Sequence, residues 1–344
     1  MKLPATPDGR PDRRLGGRFI AAAAGALVLG LALSAPAAAE KFKIKVGVST
    51  PPGYSYNVGL EEFKRLVESG TNNDVSVSIF PSAQLGGEVE MAKNVQLGTL
   101  EATIVSTSNA SPFHKPLQVL SVPYLVNSIA CGLQVLHGPV GQDFSAALLK
   151  KAGLRTLGWY TYGMRQVFNT KRDVKSVADL KGLKIRVPPD KYLEMTWRTL
   201  GASPTPLPFP EVFSALQQGV IDGDANPISS VKQFKWYEVV KHVSYANVAV
   251  GLSPFIINER FFKKLPAAYQ EVVTKAAMAS EAANRAADAK STTEAVAFLK
   301  KEGVVFSDVN LDEFRTAMKP VMDTAKKEFG AELVDQVMKS QGGC

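Results

Sequence analysis

The stretch "DLKGLKIRVPPD", Asp179–Asp190, decides how the chain is read. A polar turn leads into a short strand, and two prolines stop it. Leu183, Ile185 and Val187 alternate, so they share one face of that strand. Arg186 points to the other face, at the strand's end, just before Pro188 interrupts the ladder. A guanidinium is always charged, and its planar fork matches a carboxylate with two parallel hydrogen bonds. In open α/β sheets, ligands gather at the C-terminal ends of the strands. Arg186 is therefore a candidate anion ligand, with a salt bridge to Asp190 as the plain alternative.

The segments around this strand repeat one rhythm. Upstream, "KFKIKVGVST" reads as a strand, and Tyr56, Leu60, Phe63 and Val67 form the stripe of an amphipathic helix. "DVSVSIFP" is a strand, "GGEVEMAKNVQLGTLE" a helix, and "EATIVSTSNA" a strand running into a polar loop. This β-α-β-α-β order predicts a parallel sheet covered by helices. The rhythm returns later: "GLRTLGWYTYG" as a strand, Ser176 and Asp179 in capping-box spacing, then "LKIRVP". A helix capped by Asp190 and a helix opened by Pro210 follow, and "VIDGDANP" returns to the sheet. Between Pro266 and Gly303 there is neither Gly nor Pro, which predicts a helix of roughly 55 Å with a break or kink allowed near Ser291. That length exceeds the depth of a small domain, so the helix should rest on both α/β halves.

Other candidates collect near Arg186. Arg165, in "YGMRQVFN", follows an apolar strand. Phe209 opens the "PFPEVFSALQ" helix, and Asn226 lies in "DGDANP". Two guanidiniums at neighbouring strand ends, an aromatic wall and an amide suit a pocket for a small carboxylate. Singly, each has an equally good structural explanation: a solvated Arg165, a staple between Phe209 and Phe213, a turn at Asn226 before Pro227. Their grouping favours a site.

The rest of the chain bounds the function. Its 344 residues are 45% hydrophobic and 21% charged, an ordinary globular composition with length for two domains. Arg10, Arg13, Arg14 and Arg18 precede the apolar run Phe19–Leu33, and "SAPAAAE" offers an Ala-x-Ala site. Residues 1–39 thus read as a secretory signal cleaved after Ala39, its apolar run shorter than a membrane span. Arg13-Arg14 leaves the general and the twin-arginine export routes both open. Losing that segment, with its five basic and two acidic residues, lowers the net charge from +8 to +5. The remaining cations are scattered, with no nucleic-acid footprint. His114, His137 and His242 are far apart and read as surface or core residues. No HExxH, CxxC or calcium loop is present, so no metal and no cofactor is expected. There is no GxSxG elbow, P-loop or GxGxxG, and no enzyme is expected. Cys131 reads as a small apolar helix residue and Cys344 as a mobile chain end. Export permits a disulfide between them, but the sequence does not demand one.

"SVADLKGLKIRVP" followed by "GASPTPLPFPEVFSALQQGVIDGDANP" resembles the extracytoplasmic solute receptors of tripartite ATP-independent periplasmic (TRAP) transporters, the dicarboxylate-receptor family. "SIFPSAQLGGEVEMAKNVQLGTLEAT" and "VPYL" at Val122–Leu125 extend the match over nearly the whole exported chain. The resemblance implies a two-lobed α/β periplasmic binding protein with hinge strands and a long bracing helix near the C-terminus. Lobe I would be residues 40–163 plus 252–290, and lobe II residues 164–251 plus 291–344. An organic acid would lie in the cleft with its carboxylate on Arg186, assisted by Arg165, with Phe209 and Asn226 lining the cleft. The partners implied are the acid and integral membrane TRAP subunits, and the oligomeric state is a monomer or a helix-swapped dimer. A sensory adaptor, or a secreted enzyme using the same cleft, is the alternative. Two departures from the pattern bear on the ligand. Ser106 stands where sialic-acid receptors carry an acid, which argues against sialic acid. Pro189 replaces a polar residue after "RVP", which implies a smaller or less hydroxylated ligand. Ser49, Thr50, Ser106, Thr107 and Asn109 are further possible contacts.

Overall fold

The computed structural model describes residues 41–342 and Cys344; the signal segment expected over residues 1–39 lies outside the described residues. Among the described residues nine strands form one sheet: β1 Phe42–Gly47, β2 Val75–Phe80, β3 Ala102–Ile104, β4 Leu154–Asn169, β5 Lys184–Val187, β6 Ser203–Pro206, β7 Gly223–Asn226, β8 His242–Asn258 and β9 Val305–Asp308. The order is β2-β1-β3-β8-β4-β7-β5-β6, with β9 also paired to β8. Strands β1, β2 and β3 pair in parallel at one side, and β5, β6 and β7 do so at the other. The α/β repeat read from the sequence is therefore correct on both sides. Helices cover the sheet, so Ile185, Arg186 and Val187 are all buried, and β5 has no solvent face.

The two halves meet on the long antiparallel pair β4 and β8. β3 pairs with Phe255–Ile257 of β8, while β7 pairs with Gln166–Asn169 of β4. The strand expected to end before Arg165 instead runs on to Asn169. Its register with β8 shifts at Thr156/Gly158, Thr161/Gly163 and Arg165/Val167. Gly163, at φ +105°, supplies a backbone geometry that side-chain-bearing residues rarely adopt, so the strand bends and continues. Arg165 thus lies inside a strand rather than after one. The strands of Arg165 and Arg186 are also not neighbours, because β7 lies between them.

The long helix Ala267–Lys301 runs for 35 residues without the break allowed near Ser291. Val273 and Ala277 join the core of β1, β2 and the helix Ser55–Gly70. Ala295 and Leu299 join a second core with Phe168, Val212 and Trp236. Between these apolar ends the helix is polar where it meets the shifted stretch of β4. Glu281 accepts from Trp159 N at 2.8 Å, and Asn284 accepts from Thr161 N at 2.8 Å and donates to Thr161 O at 2.9 Å. Backbone groups are thereby satisfied by helix side chains rather than left buried and unpaired.

Cys131 and Cys344 are joined in a disulfide across 213 residues of chain, with Cα atoms 5.5 Å apart. The expectation of a mobile end is corrected by the packing beside it. Gln341 donates to Leu125 O at 2.7 Å and accepts from Asn127 N at 3.1 Å, which docks the tail on the segment before the Cys131 helix.

Candidate functional site

Arg186 is the next-to-last residue of β5 and is register partner to Asp224 of β7. Its Nε donates to Leu207 O at 2.9 Å, and its Nη1 lies 3.5 Å from Asp224 Oδ2. Its Nη2 has no hydrogen-bond partner among the described residues. The salt bridge weighed in the sequence, to Asp190, is not made. Asp190 instead caps the helix Lys191–Thr199, accepting from Tyr192 N and Leu193 N, and also accepts from the Ser121 hydroxyl. Burial pulls the Arg186 guanidinium below its ordinary pKa; Asp224 and Glu88 oppose this, and the nearby Arg165 adds to it. A ligand carboxylate would relieve both the burial and the repulsion.

Arg165 is more fully engaged. Its Nη1 donates to Ala225 O at 2.7 Å and its Nη2 to the Tyr162 hydroxyl. Burial opposes its charge, but Tyr162, Asp224 and Glu88 outweigh that and hold its pKa above the usual value. Asn226 ends β7, and its Nδ2 donates to Asp224 Oδ2 at 2.6 Å, so the pair's acceptor is itself held in place. The Phe209 ring lies 5.6 Å from the Arg186 guanidinium carbon and packs edge-on against Phe234 and Trp236. Phe209 therefore serves a core and faces the site at once.

All four residues read from the sequence line a single inner cavity of about 30 Å³. A larger groove of about 720 Å³ adjoins it and shares Glu88, Asn109, Arg186 and Phe209. Ser49, Thr50, Ser106 and Asn109 also line the cavity, and Thr107 does not. Glu88 and the tyrosines Tyr54, Tyr56 and Tyr162 were missed. Glu88 opens the helix Glu88–Leu97, where an acid is expected simply to favour the positive end of the helix dipole. Its Oε2 accepts from Ser106 N at 2.9 Å, Ser106 Oγ at 2.7 Å and Asn109 Nδ2 at 2.8 Å. Tyr54 caps the helix Ser55–Gly70 and Tyr56 lies in its first turn; Tyr56 reads in sequence as part of its apolar stripe, and Tyr54 carries no signal. Their hydroxyls reach Ser230 and Ser253 across the fold. The three histidines are all elsewhere: His137 on Glu281, His242 on Asp173, His114 against Phe144.

Residues 46–328 match DctP, the bacterial extracellular solute-binding protein family 7. A TRAP periplasmic solute-binding protein of Polaromonas sp. JS666, solved bound to D-erythronate, superposes with a TM-score of 0.84 at 33% identity, over 86% of this chain and 98% of that one. A solute-binding protein of Verminephrobacter eiseniae is 34% identical over 88% of this chain and 91% of its own. The C4-dicarboxylate-binding periplasmic protein of Rhodobacter capsulatus is 30% identical over 93% of this chain and 97% of its own. With a fold shared at that level and a family match across nearly all the described residues, the chain belongs to the family 7 bacterial extracellular solute-binding proteins, the periplasmic receptors of TRAP transporters.

Proposed function

We propose that this protein captures an organic acid anion by its carboxylate and delivers it to TRAP membrane subunits, without catalysis. Arg186 is the principal ligand and Arg165 assists, with Phe209 and Asn226 completing the enclosure. The observation that carries this reading is the unpartnered Nη2 of Arg186, on a guanidinium only 3% exposed at the wall of a cavity. A buried charge with free donors is costly unless an anion completes it. The lobes are residues 40–163 plus 252–290 and residues 164–251 plus 291–344. They close on the acid by bending at β4 and β8, where Gly163 and the register shifts lie.

Thermal shift on refolded, ligand-free protein tests the reading, with each acid paired against its neutral amide. At millimolar ligand and micromolar affinity, linkage gives about 4 kcal/mol and a shift on the order of 10 °C. A large shift with an acid, lost with its amide, is the expected result. Equal shifts from acid and amide, or none from any acid, would overturn it.

A further inference from the structure

Tyr54 ties two cores together beside the cavity. Its ring belongs to the core of β1, β2 and the helix Ser55–Gly70. Its hydroxyl lies 3.1 Å from Ser230 Oγ, on the helix Ile228–Gln233, whose Ile228 and Val231 belong to the core around Trp236. Both residues are buried, and among the described residues each hydroxyl is the other's only hydrogen-bond partner. Phe234 packs against both cores. It meets the Tyr54 ring edge-on at 5.9 Å and the Phe209 ring edge-on at 4.9 Å, and Phe209 is the ring beside Arg186. A path of contacts thus runs from Tyr54 to the aromatic wall of the cavity. Tyr54 also lines that cavity itself, whereas Ser230 lines neither it nor the adjoining groove.

We propose that the Tyr54–Ser230 hydrogen bond is a latch that holds the lobes closed, which makes both residues positioning residues that set how long a captured acid stays. The latch rests on the carboxylate capture and lobe division proposed above, in which Tyr54 moves with residues 40–163 and Ser230 with residues 164–251. When the lobes part, the two hydroxyls separate and each finds water. When they close, both are desolvated and have only each other. An unmade bond is then penalised, so the closed state is favoured only while the pair is intact. Burial keeps the Tyr54 hydroxyl neutral by raising its pKa far above the ordinary value. A neutral pair has a small net worth, because it exchanges water for a protein partner. That suits a receptor that must reopen to release its acid; a buried ion pair in the same place would resist separation far more strongly.

Stopped-flow tryptophan fluorescence provides the test, since Trp236 stacks on Phe234 at 5.3 Å and reports on the latch directly. The probe is the tightest binder among D-erythronate, malate and succinate. Ser230→Ala is the decisive variant, because Ser230 has no place in the cavity wall and can act only through Tyr54. Ser230→Ala and Tyr54→Phe should each raise the dissociation rate by about three- to tenfold and leave the association rate near wild type. The double variant should dissociate no faster than the faster single one, because both remove the same bond. Melting temperatures of the ligand-free variants should stay near wild type, since the parted lobes leave both hydroxyls wet. A dissociation rate unmoved by Ser230→Ala would overturn the latch while leaving carboxylate capture standing, and a rise in Tyr54→Phe alone would make Tyr54 a ligand contact instead. Effects that multiply in the double variant, or a fall in ligand-free melting temperature with both rates unmoved, would overturn it too. Failure of all three acids to bind would overturn carboxylate capture and the latch with it.

Discussion

Arg186 and Asp224 face each other as register partners on β5 and β7, 3.5 Å apart, with side chains 3% and 1% exposed. Asp224 also accepts from Ala225 N and Asn226 Nδ2, both at 2.6 Å, so the carboxylate is fully committed before any ligand arrives. Its role is to make a buried guanidinium tolerable rather than to bind ligand. Removing one partner of a buried ion pair leaves the other uncompensated, at about 3–5 kcal/mol. Asp224→Ala is therefore expected to lower ligand-free stability by about that much. Urea denaturation of wild type and variant measures it, and an unchanged midpoint would show that Asp224 does not support Arg186.

The two arginines should not be equivalent. Arg186 keeps free donors, whereas both terminal nitrogens of Arg165 are occupied by Ala225 O and Tyr162. Charge-assisted hydrogen bonds contribute roughly 1.5–3 kcal/mol each. Arg186→Ala, losing two, should weaken binding of the cognate acid by roughly a thousandfold. Arg165→Ala, losing at most one direct bond, should weaken it by roughly tenfold while lowering the melting temperature. Calorimetry on both variants checks the order. Equal losses would mean Arg165 turns toward the ligand when the acid binds.

Much of this site was legible because strand alternation and proline punctuation fix where β5 ends, and Arg186 sits at that end. Phe209 and Asn226 stood out through their grouping with the arginines and the motifs they sit in, and both line the same cavity as Arg186. The strand of Arg165 was cut short because Gly163 reads as a terminator in sequence. In the fold, its positive φ bends the strand and lets it continue. Glu88 was invisible for a different reason. Its neighbours, Ser106 and Asn109, come from another segment, and only the parallel pairing of β1 with β3 brings that segment close. Helical or strand periodicity carries no information about such a meeting. The docking of the tail on Leu125 and Asn127 is likewise a long-range contact without a local signal.

The Cys131–Cys344 bridge closes a loop with a sequence separation of 213. A cross-link stabilises mainly by restricting the unfolded chain, typically by about 2–4 kcal/mol and more for long loops. Cys344→Ser is expected to lose about that much stability and to leave binding of the acid within a fewfold of wild type. Thiol titration of the denatured, non-reduced wild type should find no free thiol. Two thiols per chain would refute the bridge in the exported protein.

Asp288 sets a pH dependence. It lies on the long helix beside Gly163, within 3.3 Å of where a Cβ on that glycine would be, and its Oδ1 is buried without a partner. Thr161, Met164 and Arg285 line the same cavity of about 300 Å³. Burial pushes the Asp288 carboxyl up from 3.8 to about 7. Between those values the unfolded chain has released this proton and the folded one has kept it, so stability falls as pH rises through the window and levels off above about 7. The difference corresponds to about 4 kcal/mol. Asp190, raised by burial to about 6, adds a fall in the same direction that ends sooner. Asp288→Asn isolates the first effect, because the amide matches the protonated acid in shape and cannot ionise. Urea midpoints from pH 4.5 to 8 should therefore fall less steeply in the variant, and the variant should be the more stable of the two above pH 7. Parallel curves would mean that the Asp288 carboxylate finds a partner in solution, with Arg285 the nearest cation lining its cavity.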